Sequence, residues 1–236
     1  REKFSPFELK SYRELNNDIS GLYGILVGFI LITIALCIKL GVAPFQFWVP
    51  DVYEGAPISV ASYLSVISKG AAAFILMILL FTVLKPLMHV WENIVYVVAL
   101  ATMFIGNLFA LRQQNMKRFL AFSSIAQAGF IMLGMLAGDQ LGTATVVYFV
   151  MIYVFSNLAA FGVVQAISLK TGKENMDDYN GLYRTNPNLS LVMMLALFSL
   201  AGIPPVAGFF GKFFLFTAAA SKGYYMLVFL AVVNVT

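Results

Sequence analysis

At residues 33–50 the chain reads TIALCIKLGVAPFQFWVP, an apolar run that contains one lysine and is interrupted by glycine and proline. Residues 199–213, SLAGIPPVAGFFGKF, show the same combination. The apolar segments around them, 21–49 and 189–220, are too long for one straight crossing of a bilayer, which needs about 20 residues. Because glycine and proline interrupt helices, we expect both segments to be broken helices. Two ordinary proline kinks are the alternative interpretation.

The composition is typical of a protein whose solvent is lipid. Of the 236 residues, 61% are hydrophobic and 11% are charged, whereas about a quarter of a soluble domain is charged. A chain that crosses lipid without closing a barrel must be helical, because a lone strand leaves its backbone groups unpaired. The sequence therefore predicts an all-α, polytopic transmembrane helix bundle. Its apolar stretches are 21–49, 58–84, 94–111, 119–137, 143–169, 189–220 and 224–236.

The basic residues predict an orientation in the membrane. If the spans alternate, segments 112–118 and 170–184 share one side, and each contains three Lys or Arg. The short loops of the other side contain only Lys85 and Lys222. The positive-inside rule then places the first two segments in the cytoplasm or its organellar equivalent, although the basic residues of segment 1–20 argue against this.

Three lysines carry the chemistry that we expect from this chain. Lys39 lies roughly 15 Å along the helix from Pro50, and helical rise also places Lys69 near the centre of its span, while Lys212 follows the second break. A lysine at the centre of a membrane helix costs about 2.5–3.5 kcal/mol. Removal from water favours the neutral amine, so such a lysine can take up and release a proton near neutral pH. Snorkelling to a headgroup or static pairing with an acid are the alternatives.

Other polar residues have two possible roles. Asp51 and Glu54 fall between the first two spans, where they could feed a proton pathway, although proline, aspartate and glycine together are typical of a solvated turn. Polar residues inside the spans could hold a water wire between the lysines or could join helices by hydrogen bonds. These residues are Asn107, Ser123, Ser124, Gln127, Tyr148, Tyr153, Ser156 and Asn157.

The sequence lacks the Cys and His spacings that are typical of metal and haem sites, and it has no phosphate-binding loop. It also has no basic stripe of the kind that binds nucleic acid. We therefore expect no cofactor, no metal and no nucleic acid to bind this chain. Because it has no initiator Met and stops inside an apolar run, we expect it to be a fragment of a longer protein.

Three long strings occur in one order along the chain. They are KLGVAPFQFWVPDVYEGAPISVASYLSVISK at 39–69, MKRFLAFSSIAQAGFIMLG at 116–134 and SLAGIPPVAGFFGKF at 199–213. With these strings the chain resembles the antiporter-like membrane subunits of respiratory complex I, and most of all their N type, also called subunit 2. The resemblance covers essentially the whole sequence.

The resemblance implies an antiporter-like fold of two inverted five-helix repeats, with this chain running from about the seventh helix to the thirteenth. Segment 1–20 would then precede the first span. Segment 21–84, with broken helix 21–49 and helix 58–84, would end the first repeat. Segment 85–236, with broken helix 189–220, would form most of the second repeat, cut short at its end.

The resemblance also implies roles for particular residues. Lys39 would be the lysine of the first broken helix, Lys69 the connecting lysine and Lys212 the lysine of the second broken helix. Lysine at 212 fits the N type better than the M type, which has glutamate there. The family's glutamate partner of Lys39 would lie upstream of Arg1. The supporting residues would be Pro44, Gln46, Trp48, Asp51, Glu54, Ser124, Gln127, Tyr153, Ser156, Asn157, Pro204 and Pro205.

Two positions depart from the family, which often has histidine where this chain has Gln46 and Gln127. An imidazole relay at those points would be absent, so water and hydroxyl groups would have to carry the proton.

The expected function is therefore that of a proton-translocating membrane subunit of NADH:quinone oxidoreductase, an enzyme subunit without a redox centre of its own. NADH, FMN, Fe–S clusters and quinone would bind to partner subunits, and the partners would be M-type, K-type and L-type membrane subunits and lipid. The expected location is a bacterial inner membrane or an organellar energy-transducing membrane. Two alternatives are a subunit of an Mrp-type cation/proton antiporter and a membrane scaffold that does not pump.

Overall fold

The computed structural model describes residues 19–235, which are almost entirely helical. Helices α1 (Ile19–Leu40) and α2 (Trp48–Gly55) are separated by an irregular segment. The long helices that follow are α3 (Ile58–Val83), α4 (Met88–Ala110), α5 (Met116–Met135) and α6 (Gln140–Thr171). The remaining helices are the short α7 (Leu182–Thr185), then α8 (Pro187–Ala201), α9 (Ala207–Ser221) and α10 (Tyr225–Val235).

Membrane-spanning character is concentrated in four of these helices. Four helical segments are long and apolar enough to cross a membrane: α3, the segment Lys85–Ala110 that contains α4, α5 and α6. Helix α6 has 32 residues and so is about 48 Å long, more than the roughly 30 Å of the hydrocarbon layer. These four continuous spans lie between the two interruptions, as the sequence predicts.

The chain divides into two compact units after Leu36. Of the first unit, the structure describes residues 19–36, which are helical. The second unit, from Cys37 onward, contains both interruptions and all the interactions that follow.

Helix α5 is the centre of the second unit. Seventeen of its 20 residues are buried, and it packs against α2, α3, α4, α6 and α9. In lipid, no hydrophobic driving force brings two helices together, so their association depends on close packing. Small residues allow this packing because they let the two backbones approach. A Cβ atom added at Gly106 of α4 would lie 2.5 Å from the backbone nitrogen of Ala126 on α5.

The connecting segments meet at two ends of the bundle. At one end, the amide of Met116 donates to the Glu174 carbonyl, and Lys117 forms an ion pair with Glu174 at 2.9 Å. At the other end, the ammonium of Lys222 lies 3.0 Å from the carboxylate of Asp139. The alternation of spans that the sequence predicts is therefore confirmed for these segments.

Asp139 begins α6 as its N-cap residue. Its carboxylate accepts a hydrogen bond from the Gly142 amide at 2.8 Å. This bond, together with the Lys222 ammonium, holds the pKa of Asp139 below its ordinary value. The charged carboxylate therefore stabilises the helix start above the ordinary pKa of aspartate, and this contribution is lost as the pH falls through the lowered pKa.

The close contact of α4 with α5 predicts that Gly106→Ala destabilises the fold. The added methyl group meets backbone atoms that cannot rotate away, so we expect a cost of about 1–3 kcal/mol. Thermal unfolding of the purified full-length protein in detergent measures it. The control is Gly162→Ala on α6, where nothing lies within 4 Å of an added Cβ and alanine favours the helix by up to about 1 kcal/mol. Equal melting temperatures for the two variants would contradict the packing described here.

Candidate functional site

The first interruption is held by hydrogen bonds that involve the side chains of Trp48 and Thr102. Residues 41–47 separate α1 from α2, and Gly41 has a φ of +69° that favours glycine. The indole N–H of Trp48 donates to the Ile38 carbonyl at 2.8 Å. The amide of Ala43 donates to the hydroxyl of Thr102 on α4 at 2.9 Å. The predicted break in the first segment is confirmed.

The second interruption directly binds a lysine. Helix α8 ends at Ala201, and Gly202 follows with a φ of +83°. The Lys212 ammonium donates to the carbonyls of Leu200 and Ala201, both at 2.9 Å. The last carbonyls of a helix lack intrahelical partners and form the negative end of its dipole, so they suit a cation. The second predicted break is confirmed.

The side chain of Lys212 is buried although it ends in an amine. It is 5% exposed, and its Nζ lies 4.5 Å from the centre of the Phe130 ring. It borders a cavity of about 290 Å³ that is also lined by Asn107, Ser123 and Gln127. This volume is large enough for several water molecules of about 30 Å³ each.

Lys69 is buried beside the first interruption. It is 2% exposed, and its Nζ donates to the hydroxyl of Ser124 on α5 at 2.7 Å. The same amine lies 5.8 Å from the centre of the Tyr53 ring. A Cβ atom added at Gly41 would lie 3.8 Å from it. Each interruption therefore has one buried lysine beside its glycine.

Helix α5 connects the two lysines. Ser124 accepts from Lys69, while the side-chain amide of Gln127 donates to the Leu200 carbonyl at 2.9 Å, an oxygen that also binds Lys212. Residues three apart lie on the same face of a helix, so Ser124 and Gln127 point in a similar direction. Among residues 19–235, no carboxylate lies within ion-pair distance of Lys69 or Lys212.

Polar side chains of α6 bind the neighbouring helices. Tyr153 and Asn157 both hydrogen-bond to Ser65 on α3. Ser156 donates to the hydroxyl of Ser199 on α8 at 2.6 Å. These bonds bring the predicted supporting residues Tyr153, Ser156 and Asn157 into the same interior as the two lysines.

Some buried polar atoms have no partner in the part of the chain that the structure describes. They include the side-chain oxygen of Gln46, the hydroxyl of Tyr53 and the side-chain oxygen of Asn157. Gln46 is 3% exposed and lies within the first interruption. Buried acceptors and hydroxyls of this kind usually bind ordered water.

Lys39 does not share this burial. It lies in the last turn of α1, and its side chain is exposed on the surface of the described chain. The prediction that Lys39 is buried is therefore wrong for residues 19–235. Apolar neighbours in the sequence indicate depth in the membrane, but they do not show which face of the helix other helices cover.

The prediction that Asp51 and Glu54 lie in a loop is wrong. Both residues lie on α2, which begins at Trp48 and accommodates Pro50 in its first turn, where proline is tolerated. Both bind the guanidinium of Arg118 at the start of α5, at 2.9 Å and 2.6 Å respectively. This cluster joins the end of α2 to α5 instead of forming a solvated turn.

The other predicted residues lie in different parts of the structure. Pro44 lies in the first interruption, and Pro204 and Pro205 lie in the second. Asn107 donates to Asn234 on α10. Tyr148 is 41% exposed and packs edge-on against Phe214, so it lies at the surface of the described residues and is not buried like the two lysines.

Several residues of the site were not predicted from the sequence. Ser65 precedes Lys69 by four residues, and this helical spacing could have identified it. Ser199 and Thr102 gave no such signal, because they find their partners only in the packed structure. Lys117, in segment 112–118, is 6% exposed and is paired with Glu174.

The described residues contain no group of three or more His, Cys, Asp or Glu that could hold a metal ion. The groups that surround Lys69 and Lys212 are a hydroxyl, a side-chain amide and backbone carbonyls. Such groups can hold and pass protons.

The fold and the site define an integral membrane protein with two helix interruptions, each of which lies beside a buried lysine. The chain belongs to the NADH:quinone oxidoreductase/Mrp antiporter transmembrane family, whose sequence model matches residues 7–236. The inverted-repeat, antiporter-like fold expected from the sequence is that of its structural relatives.

Two relatives show the extent of the sequence similarity. NADH-quinone oxidoreductase subunit N of Phocaeicola vulgatus is 57% identical over 200 residues, which are 84% of this chain and 42% of that protein. The chloroplastic NAD(P)H-quinone oxidoreductase subunit 2 of Mesostigma viride is 46% identical over 210 residues, which are 89% of this chain and 42% of that protein. The chain therefore spans less than half the length of these relatives.

Solved structures show the same fold. A chain of the Mrp complex from Dietzia superposes with a TM-score of 0.84 at 26% identity, covering 94% of this chain and 40% of that one. A chain of respiratory complex I from Thermus thermophilus superposes with a TM-score of 0.72 at 33% identity, covering 88% of this chain and 45% of that one.

The second interruption predicts a specific effect of Gly202→Ala. A Cβ atom added there would lie 2.8 Å from Cδ of Lys212, so the lysine must move away from the carbonyls of Leu200 and Ala201. Gly172→Ala is the control, because Gly172 also has a positive φ of +70° but has nothing within 4 Å of an added Cβ.

Both substitutions place alanine in the left-handed region, at about 1–2 kcal/mol each. We expect Gly202→Ala alone to lower proton translocation by the full-length protein in its native assembly. Equal translocation by the two variants, measured in vesicles, would show that proton translocation does not depend on the position of Lys212 at the break.

Proposed function

We propose that this chain is part of a proton-translocating membrane subunit of an NADH:quinone oxidoreductase, with Lys69 and Lys212 as the groups that take up and release protons. The observation that carries this proposal is the pair of buried amines at the two helix interruptions, both held by neutral acceptors. The relatives named as quinone oxidoreductase subunits support the assignment to this enzyme.

The partners of the lysines favour a change of charge. An amine that is paired with a buried carboxylate cannot lose its proton without leaving an uncompensated charge behind. Lys69 and Lys212 instead donate to a serine hydroxyl and to two backbone carbonyls. Deprotonation leaves these groups neutral, so the structure can accommodate both states of each amine.

Helix α5 offers a path between the amines. Ser124 accepts from Lys69 and donates to the Ala121 carbonyl at 2.7 Å. A hydroxyl rotates freely, so Ser124 can exchange its donor and acceptor roles. The step from Ser124 to Lys212 requires water beside Gln127, and the cavity lined by Gln127 and Lys212 is where this water would bind. We assign Lys39 to the same relay on its position at the first interruption.

The energy must come from other subunits. Moving one charge against 100 mV costs about 2.3 kcal/mol, and the chain has no redox group of its own in this proposal. NADH, FMN, Fe–S clusters and quinone would bind partner subunits, and the assembly would be a hetero-oligomer with M-type, K-type and L-type membrane subunits and lipid in an energy-transducing membrane. The two matched interruptions support dividing the chain into repeats at 21–84 and 85–236.

The decisive experiment replaces each buried lysine in the full-length subunit within its native complex. We expect Lys69→Ala and Lys212→Ala to lower the number of protons moved per electron, with a loss of roughly tenfold or more in any transfer step that uses the amine. Lys85→Ala is the control, because Lys85 is exposed near a helix start. The measurement combines quinone-dependent NADH oxidation with proton uptake in vesicles.

Two results would contradict the proposal. Unchanged stoichiometry in both lysine variants would remove these amines from the path. Loss of assembly on native gels, before any loss of coupling, would instead indicate a scaffold in which the lysines hold helices together.

A subunit of an Mrp-type cation/proton antiporter is the second candidate. The superposition on a chain of the Mrp complex, with its TM-score of 0.84, favours it. Sodium-dependent proton flux in vesicles that lack any NADH dehydrogenase would support this function, whereas flux that requires NADH oxidation would support the first.

A further inference from the structure

A π-helical turn precedes Lys69 in α3. It covers Leu64–Ser68, and Lys69 is the first residue of the α-helix that follows. A single π turn contains one more residue than an α turn and is often found at functional sites. Its register sets the direction in which Lys69 points, because each residue of an α-helix turns the chain by about 100°.

A carbonyl of this turn is bound by a tyrosine from another helix. The amide N–H of Lys69 donates to the Val66 carbonyl. The Ser65 carbonyl, its acceptor in a regular α-helix, accepts from the hydroxyl of Tyr153 on α6 at 2.9 Å. Tyr153 thus binds the carbonyl that a regular α-helix would offer to the Lys69 amide.

The hydrogen atoms of this cluster can all be assigned. Because Tyr153 uses its one hydroxyl hydrogen for the Ser65 carbonyl, the Ser65 hydroxyl must donate to Tyr153. The side-chain amide of Asn157 supplies both of its hydrogens, one to the Ser65 hydroxyl and one to the Tyr153 hydroxyl, at 2.6 Å each. The cluster has no donor left over, so it is suited to holding a backbone in place and not to passing a proton in this arrangement.

We propose that Tyr153, oriented by Asn157, is a positioning residue that holds the π turn of α3 and thereby aims the Lys69 amine at Ser124. The inference rests on the proposed function of Lys69 and adds the element that sets its direction. Without the tyrosine donor, the Ser65 carbonyl loses the bond that holds it in the π turn, and it can move to accept from the Lys69 amide. The turn then tightens to α-helix, and Lys69 rotates away from Ser124.

The test is Tyr153→Phe in the full-length subunit within its native complex, with Tyr148→Phe as the matched control. Tyr148 lies on the same helix but is exposed and packs against Phe214. Loss of one neutral hydrogen bond should shift the balance between π and α register by roughly two- to tenfold. We expect an electron cryomicroscopy map of the variant to show Lys69 out of hydrogen-bonding range of Ser124, and protons moved per electron to fall.

Two further variants separate positioning from general damage. Ser65→Ala keeps the carbonyl that Tyr153 binds, so it should preserve the π turn and the contact of Lys69 with Ser124. Replacement of Tyr153 by p-aminophenylalanine keeps a donor at the same place and should restore both geometry and proton movement. If Tyr153→Phe does not assemble, Asn157→Ala is scored by the same readouts and should act in the same direction.

The inference would be overturned if the Tyr153→Phe variant kept the π turn and the hydrogen bond from Lys69 to Ser124. Where Asn157→Ala is scored instead, the same result in that variant would overturn it. Failure of p-aminophenylalanine to restore the geometry would also overturn it. The map gives the position of Lys69 whether or not protons move. A failure of this inference can therefore be distinguished from a failure of the proposed translocation, which the number of protons moved per electron in Lys69→Ala decides.

Discussion

An amine inside an apolar helix bundle must find acceptors, and this requirement organises the second unit of the protein. The last carbonyls of a helix lack intrahelical partners, so a helix that stops inside the bundle provides acceptors at a depth where water is scarce. Lys212 uses the carbonyls of Leu200 and Ala201 in this way. Each interruption also places a left-handed glycine near a lysine. A Cβ atom added at Gly202 would lie 2.8 Å from Cδ of Lys212, whereas one added at Gly41 would clash with Val49 and lie 3.8 Å from the Lys69 amine.

Helix α5 provides the common framework for both lysines. Nearly all of it is buried, and glycine contacts on α4 bring the two backbones close together. Dense packing leaves its side chains few alternative positions. Ser124 and Gln127 are therefore held in place on one face of α5, and the bonds they form to Lys69 and Leu200 span 55 and 73 residues of sequence.

The neutral character of these contacts distinguishes the site from a structural ion pair. Ion pairs do occur in the second unit, at the start of α5, where Arg118 binds Asp51 and Glu54 and where Lys117 binds Glu174. Those pairs tie helix ends together. Lys69 and Lys212 are surrounded instead by hydroxyls, carbonyls and aromatic rings, an environment that can hold an amine in either charge state.

The sequence by itself determined the helices and the two interruptions, because apolar run length, proline and glycine act locally along the chain. It predicted Ser124, Gln127, Tyr153 and Asn157 as polar residues of the interior. Only the tertiary structure decided which faces are covered, so it left Lys39 exposed, moved Asp51 and Glu54 onto a helix and turned Tyr148 outward. Hydrogen bonds such as those of Ser65 and Ser199 depend on how separate helices rotate against one another, and no local pattern in the chain encodes that rotation.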